Sequence, residues 1–202
     1  ENYFAANKTP VHLILLDSLP ESQTCPTYVT KTVLNSQGSL VKGYKQLKPL
    51  LNRIKPAYCF SFLTRSNFLN VALAKSLGYS AIISERVNTT SHLSGGLKDA
   101  ISRFLVKHLY KRADQVVAVS EGVKADLVKN YAVPESKVSL LYNPYDIAQL
   151  HELASEPVND IPKAPYIIGV GRLVKNKNFS LLLNAYAKAD IVENLVILGV
   201  GE

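Results

Sequence analysis

The residues best placed to do chemistry lie in Tyr166-Ile-Ile-Gly-Val-Gly-Arg-Leu-Val-Lys-Asn-Lys-Asn178. The apolar run Tyr166 to Val170, bounded by Pro165 and Gly171, reads as a short strand buried on both faces. Gly169 and Gly171 stand where that strand ends, and glycine lets a backbone turn sharply or approach a ligand closely. Arg172, Lys175 and Lys177 follow. A helical pattern then begins, with Phe179, Leu182, Leu183 and Tyr186 on one face and Asn176 or Asn178 as the N-cap. Strand, glycine turn, cationic loop and helix N-terminus together describe an anion site: amides and helix dipole favour negative charge, and Arg172 and Lys177 add full positive charges. Lys175 reads as a solvated loop lysine.

Elsewhere the chemistry-bearing residue types do not cluster. The four histidines (His12, His92, His108 and His151) have no metal-ligand spacing, and Cys25 and Cys59 lie far apart, so they read as free or packed thiols in a reducing compartment. The net charge of +7 favours anionic partners such as phosphates or a membrane face. That charge is spread along the chain and not interleaved with aromatics, and no nucleic-acid-binding motif accompanies it, so nucleic acid is not expected as a partner. No apolar run approaches the ~20 residues of a membrane span. The start at Glu1 and the lack of any Met read as a piece of a longer chain.

The elements that would position these residues alternate. Strands are expected at 11–16, 58–63, 81–84, 115–119, 137–142, 166–170 and 194–198. Helices are expected over 39–55 (kinked or delayed by Pro49), 66–77, 97–112, 120–131 and 178–189. Residues 20–37 read as loop and 85–96 as a polar loop. In helix 97–112 the apolar positions Leu97, Ile101, Phe104, Leu105 and Leu109 are expected to face inward, leaving Arg103, Lys107, Lys111 and Arg112 on the other face. This order predicts an α/β fold, a Rossmann-like parallel sheet with helices on both faces, in which ligands bind at the carboxyl ends of the strands. Residues 1–146 would form a first domain, 147–164 a proline-marked linker and 165–202 the beginning of a second Rossmann-like domain.

Three motifs in this order carry a resemblance: Val119-Ser-Glu-Gly-Val-Lys-Ala-Asp-Leu127, Leu141-Tyr-Asn-Pro-Tyr-Asp146 and Gly169-Val-Gly-Arg-Leu-Val-Lys-Asn-Lys-Asn178. With Ile197-Leu-Gly-Val-Gly-Glu202 they resemble the glycosyltransferases of family 4, which have the GT-B fold. The resemblance covers roughly Pro56 to Glu202. It implies an acceptor-side first domain, incomplete at its start, and a truncated second domain that binds a nucleotide-sugar.

By the same resemblance Arg172 and Lys177 are the catalytic cations on the donor diphosphate. Gly171, Asn143, Gly201 and Glu202 join them in binding donor. Glu85, Arg86, Asn88 and Glu121 belong to the acceptor side, and Glu85-Arg86 stands where many relatives carry a His. The family's glycine-rich opening loop and a spaced pair of donor-binding Glu residues are not in this sequence, so the chain by itself is expected to be inactive. The implied activity of the whole protein is retaining transfer, hexosyl or N-acetylhexosaminyl, from a UDP- or GDP-sugar to a glycan or lipid-linked acceptor. That transfer is expected without a metal or other cofactor, in the cytoplasm. The basic face of helix 97–112 could meet anionic lipid at the inner face of the plasma membrane. A non-catalytic nucleotide- or phosphosugar-binding module is the competing reading.

Overall fold

The computed structural model describes residues 3–18, 24–158 and 162–201. The chain divides into two compact units, Glu1–Pro144 and Tyr145–Glu202.

The first unit opens with α1 (Tyr3–Ala6), β1 (Val11–Leu15), β2 (Val29–Val33) and α2 (Leu40–Ile54). It continues with β3 (Tyr58–Phe62), α3 (Thr64–Leu77), β4 (Ser80–Glu85), α4 (Thr89–His92) and α5 (Leu97–Leu109), which runs into a 3-10 turn at Tyr110–Arg112. Then come β5 (Gln115–Ala118), α6 (Glu121–Tyr131), a 3-10 turn at Glu135–Lys137, and β6 (Val138–Leu140). All strand pairs are parallel: β1 with β2, and β3-β4-β5-β6 in that order. Sequential parallel strands require helical crossovers, which is why strands and helices alternate along the chain. The α/β class with helices on both faces of parallel sheets is the one expected.

The core of this unit joins the inward side chains of the sheet, Ala81, Ile83, Val116 and Ala118, to Leu73 of α3, Val106 of α5 and Leu127 of α6, all at 0% exposure. Helix α2 begins at its Ser39 cap, which accepts from Lys42 N, and accommodates Pro49 within its length. Strand β2 falls where a loop was expected. Four of the five residues of Val29-Thr-Lys-Thr-Val33 are β-branched, which suits a strand, but the polar threonines and lysine lower its apolar signal.

Helix α5 departs from expectation in a second way. Its core side carries Val106, with Leu105 and Leu109 packed against the core as expected, whereas Leu97, Ile101 and Phe104 are exposed.

The second unit holds α7 (Ile147–Ala154), β7 (Tyr166–Val170), a 3-10 turn at Lys175–Lys177, α8 (Phe179–Lys188) and β8 (Asn194–Leu198), with β7 and β8 parallel. Helix α7 lies where a linker over 147–164 was expected. Asp146 caps it, Oδ1 accepting from Gln149 N at 3.0 Å. Strand β7 is not buried on both faces: Ile168 is 51% and Val170 68% exposed. One helix and two strands cover one face only, and Phe179, Leu182 and Tyr186 of α8 are the half-buried side of that contact, with Leu183 exposed.

Two glycines set the packing of this unit. A Cβ on Gly169 would stand 2.9 Å from Leu182 Cδ2, so glycine lets α8 lie against β7. A Cβ on Gly199 would stand 1.9 Å from the Gly171 carbonyl oxygen, so only glycine allows these loop backbones to meet. Gly199→Ala is therefore expected to loosen the unit by about 1–3 kcal/mol. Gly201→Ala, whose Cβ meets nothing closer than Leu173 Cβ at 3.8 Å, is expected to leave it near the parent. Amide hydrogen exchange of β8 reads the difference. Equal protection in both variants would contradict the close approach.

Candidate functional site

The carboxyl ends of the strands of the first unit carry a loop built on buried polar groups. Strand β4 ends at Glu85, which is 1% exposed. Its Oε2 accepts from the Tyr110 hydroxyl at 2.7 Å and its Oε1 from the Arg86 amide at 3.1 Å. Asn67 Nδ2 in turn donates to Tyr110 Oη at 3.2 Å and to the Ser84 carbonyl at 3.0 Å, and Ser61 Oγ donates to Asn67 Oδ1 at 2.8 Å. One chain of hydrogen bonds thus links β3, α3, β4 and the turn after α5, and a buried chain of this kind is rigid when every member is paired. Burial pushes the Glu85 carboxyl above its ordinary range. The Tyr110 hydroxyl, the amides of Arg86 and Val87, and His92 offset part of that rise. Sequence reasoning placed Glu85 on the acceptor side, but its carboxylate faces inward, so it supports the loop from below.

Arg86 is exposed and turns outward. Its Nη2 donates to Asn143 Oδ1 at 2.6 Å, and its guanidinium lies 5.7 Å from the centre of the Phe62 ring. An expected acceptor residue and an expected donor residue therefore meet directly, across the ends of β4 and β6. Asn88 caps α4, its side chain accepting from Ser91 N at 2.9 Å.

Asp126 of α6 holds α4 from the other side. Its carboxylate accepts from the Thr90 amide at 3.0 Å, from Thr90 Oγ1 at 2.5 Å and from Asn130 Nδ2 at 2.7 Å. Burial would raise the Asp126 pKa, but these donors, together with the Thr89 amide, hold it below the ordinary carboxylate range. Ser120 caps α6 as expected, accepting from Val123 N at 3.2 Å, and Glu121 is exposed on its first turn.

Asp17, just past β1, closes a further corner. It accepts from Ser36 Oγ, from the amides of Gln37 and Gly38, and from Arg65 Nη2 at 2.6 Å. Burial opposes ionisation there, yet Ser36, Arg65 and the two amides bring Asp17 down to about 2.

In the second unit the anion-site residues share one edge. The β7–β8 pairing continues past both strands: Gly171 N donates to Leu198 O at 3.0 Å, Leu173 N to Val200 O at 2.8 Å, and Leu173 bridges Gly201. Gly171, Arg172 and Gly201 thus lie on adjoining loops at the carboxyl ends of two parallel strands. Arg172, Lys175 and Lys177 are exposed, and the Lys177 stem passes 3.9 Å from where a Cβ on Gly171 would be. Asn178 precedes α8 but does not cap it with its side chain. It takes φ 51, a left-handed conformation that asparagine tolerates, after the turn at 175–177. Glu202 lies outside the described residues. No group of three or more His, Cys, Asp or Glu able to hold a metal occurs among the described residues.

The residues that sequence reasoning missed are the supports: Tyr110, Asn67, Ser61, Asp126 and Asp17. Their only signal was polar residues inside apolar periods, as with Ser61 in β3 and Asn67 in α3.

A polar loop at the carboxyl ends of one parallel sheet and a glycine-and-cation turn at the ends of a second parallel pair are places where α/β folds bind ligands, anions among them. Residues 32–149 match the family described as Glycosyltransferase Family 4, and the chain belongs to that family. It is 29% identical over 207 residues to a Campylobacter jejuni protein, N-acetylgalactosamine-N,N'-diacetylbacillosaminyl-diphospho-undecaprenol 4-alpha-N-acetylgalactosaminyltransferase, with 96% of this chain and 55% of that protein covered. The chain thus spans about half the length of that curated relative.

In fold it is similar to Anabaena Alr3699/HepE in complex with UDP, at a TM-score of 0.61 and 12% identity, covering 87% of this chain and 49% of that one. It is also similar to the same protein with UDP-glucose, at 0.60 and 11%, covering 94% and 60%. A third similar structure is the lipopolysaccharide outer core galactosyltransferase WaaB in its apo form, at 0.56 and 17%, covering 90% and 50%. The family match rests on the first unit and stops before the Gly169–Asn178 motif.

The raised Glu85 pKa fixes a pH dependence. A carboxyl whose folded pKa is raised contributes stability that is full below its unfolded value, 4.5, and lost as pH rises through the folded pKa. Glu85→Gln removes that loss. Its urea midpoint relative to the parent is expected to move in the variant's favour as pH rises above 4.5. A difference constant with pH would assign Glu85 ordinary acidity.

Proposed function

We propose that this chain is part of a retaining glycosyltransferase that moves a hexosyl or N-acetylhexosaminyl group from a UDP- or GDP-sugar to a glycan or lipid-linked acceptor. The first unit carries the acceptor side and the second the donor side. The observation that carries this reading is the exposed pair Arg172 and Lys177 beside Gly171 and Gly201, at the carboxyl ends of β7 and β8, in a chain of this family. The UDP and UDP-glucose in the Anabaena structures support a nucleotide-sugar donor, and the diphospho-undecaprenol in the name of the Campylobacter protein supports a lipid-linked acceptor.

The chemistry follows from charge. As the bond between the sugar's anomeric carbon and the diphosphate breaks, negative charge gathers on the departing diphosphate oxygens and the sugar gains oxocarbenium character. An acceptor hydroxyl forms the new bond to the same carbon and passes its proton to a departing diphosphate oxygen. Arg172, Lys177 and the positive N-terminal end of α8 stabilise charge where it develops. Arg86, Asn88 and Glu121 face solvent at the strand ends and helix start where an acceptor would sit. Glu85 acts by fixing the loop that holds Arg86 and Asn88.

Replacing Arg172 by Ala in the complete enzyme is expected to cost about 2–4 kcal/mol of transition-state stabilisation, on the order of a hundredfold in turnover. Lys177→Ala should behave similarly and Lys175→Ala should stay within a few-fold of the parent. Assays with UDP- and GDP-sugars measure this. Unchanged turnover and donor affinity in Arg172→Ala would contradict the assignment, and donor binding by the complete protein without transfer would indicate a non-catalytic module.

A further inference from the structure

Arg86 carries a positive charge that no described residue neutralises. The carboxylate beside it in sequence is turned away. Glu85 Oε2 accepts from Tyr110 and Oε1 from the Arg86 amide, so Glu85 holds the backbone of Arg86 and not its guanidinium. The guanidinium rests on neutral groups only. Its Nη2 donates to Asn143 Oδ1 at 2.6 Å, and the centre of the Phe62 ring lies 5.7 Å away. Among the described residues its remaining N–H groups make no hydrogen bond and it forms no ion pair. Two other arginines of the first unit show the contrast. Arg65 gives its charge to Asp17 at 2.6 Å, and Arg103 donates to the Leu93 carbonyl.

A mobile arginine loses rotamer freedom when it grips a ligand. Arg86 is already oriented, by Asn143 on one side and Phe62 on another, and its charge is still free. Leu63, which follows Phe62, takes φ 69 and ψ 150, a conformation that residues with a side chain rarely adopt and that persists only where the surroundings impose it. Phe62, Arg86 and Asn143 stand at or just past the carboxyl ends of β3, β4 and β6, and all three are exposed.

The open edge of this guanidinium is a planar fork with a single positive charge. Its match is a planar group with a single negative charge, a carboxylate held by two parallel hydrogen bonds. A diphosphate carries more charge than one cation answers, and the exposed pair Arg172 and Lys177 suits it better. We propose that Arg86 is a specificity-determining residue and that the sugar it receives is acidic, with a carboxylate of the uronic acid type. That this sugar is an acceptor rests on the transferase reading. The recognition of its carboxylate requires neither donor nor turnover.

Calorimetry on the complete protein tests the proposal with p-nitrophenyl β-glucuronide and β-galacturonide against the corresponding glucoside and galactoside. The acids are expected to bind on the order of tenfold more tightly than their neutral twins. That difference should shrink as salt is raised. Arg86→Gln removes the charge, and Asn143→Asp neutralises it in place while keeping an acceptor for Nη2. Both variants should erase the preference and bind the neutral sugars as the parent does. Because both side chains are exposed, thermal transitions by circular dichroism should match the parent. Equal binding of acidic and neutral sugars by the parent overturns the proposal. So does an equal loss for both classes in the variants, which would make Arg86 a support of the loop. Tighter binding of glucose 6-phosphate than of either acid, lost in Arg86→Gln, also overturns it and assigns the residue to a phosphate. A complete protein that keeps the acid preference but transfers to no acceptor upholds the proposal and contradicts the transferase reading.

Discussion

The hydroxyl of Tyr110 decides how the first unit presents its loop. It is fully buried, accepts from Asn67 and donates to Glu85, and so ties the turn after α5 to α3 and to the end of β4. A buried carboxyl without such a partner would carry the full cost of desolvation, about 1–3 kcal/mol or more. The pairing holds Glu85 inward and leaves Arg86 as the first residue of the loop to reach solvent. From there Arg86 is set against Phe62 and Asn143, while Asp126 fixes Thr90 at the far end. The loop at residues 86–90 is thus anchored at both ends by groups that face the interior.

The second unit is organised by backbone approach instead. Gly171 and Gly199 meet where side chains would collide, which keeps the two loops after β7 and β8 in contact and continues the pairing to Leu173 and Gly201. The side chains that could bind an anion are then carried outward on exposed backbone. No described residue of this unit is buried, and its cations stand exposed on the loop past the end of β7.

Much of this was legible in the sequence wherever one periodicity dominated. Strands β7 and β8 fell at the expected residues, and Ser120 capped α6 as its position before Glu121 suggests. Strand β2 was missed because its threonines and lysine left little apolar signal, and α7 because flanking prolines looked like a linker. In α5 the expectation held for Leu105 and Leu109 and failed for Leu97, Ile101 and Phe104, because apolar periodicity tells which residues share a side of a helix and not how far the core reaches around it. Of the candidate site, the cations and glycines were proposed from residue type and order, and Arg86 from the family resemblance. The supports could not, because Tyr110 and Glu85 are 25 residues apart and their bond exists only once the chain has folded.

On the transferase reading the Tyr110–Glu85 bond positions the proposed acceptor loop, and it reaches the donor side only through the Arg86–Asn143 bond. Steady-state kinetics of Tyr110→Phe in the complete enzyme, varying donor and acceptor separately, tests it most directly. The account predicts that KM for the acceptor rises severalfold while KM for the nucleotide-sugar rises clearly less. An equal rise for the donor, or no change for the acceptor, would contradict it.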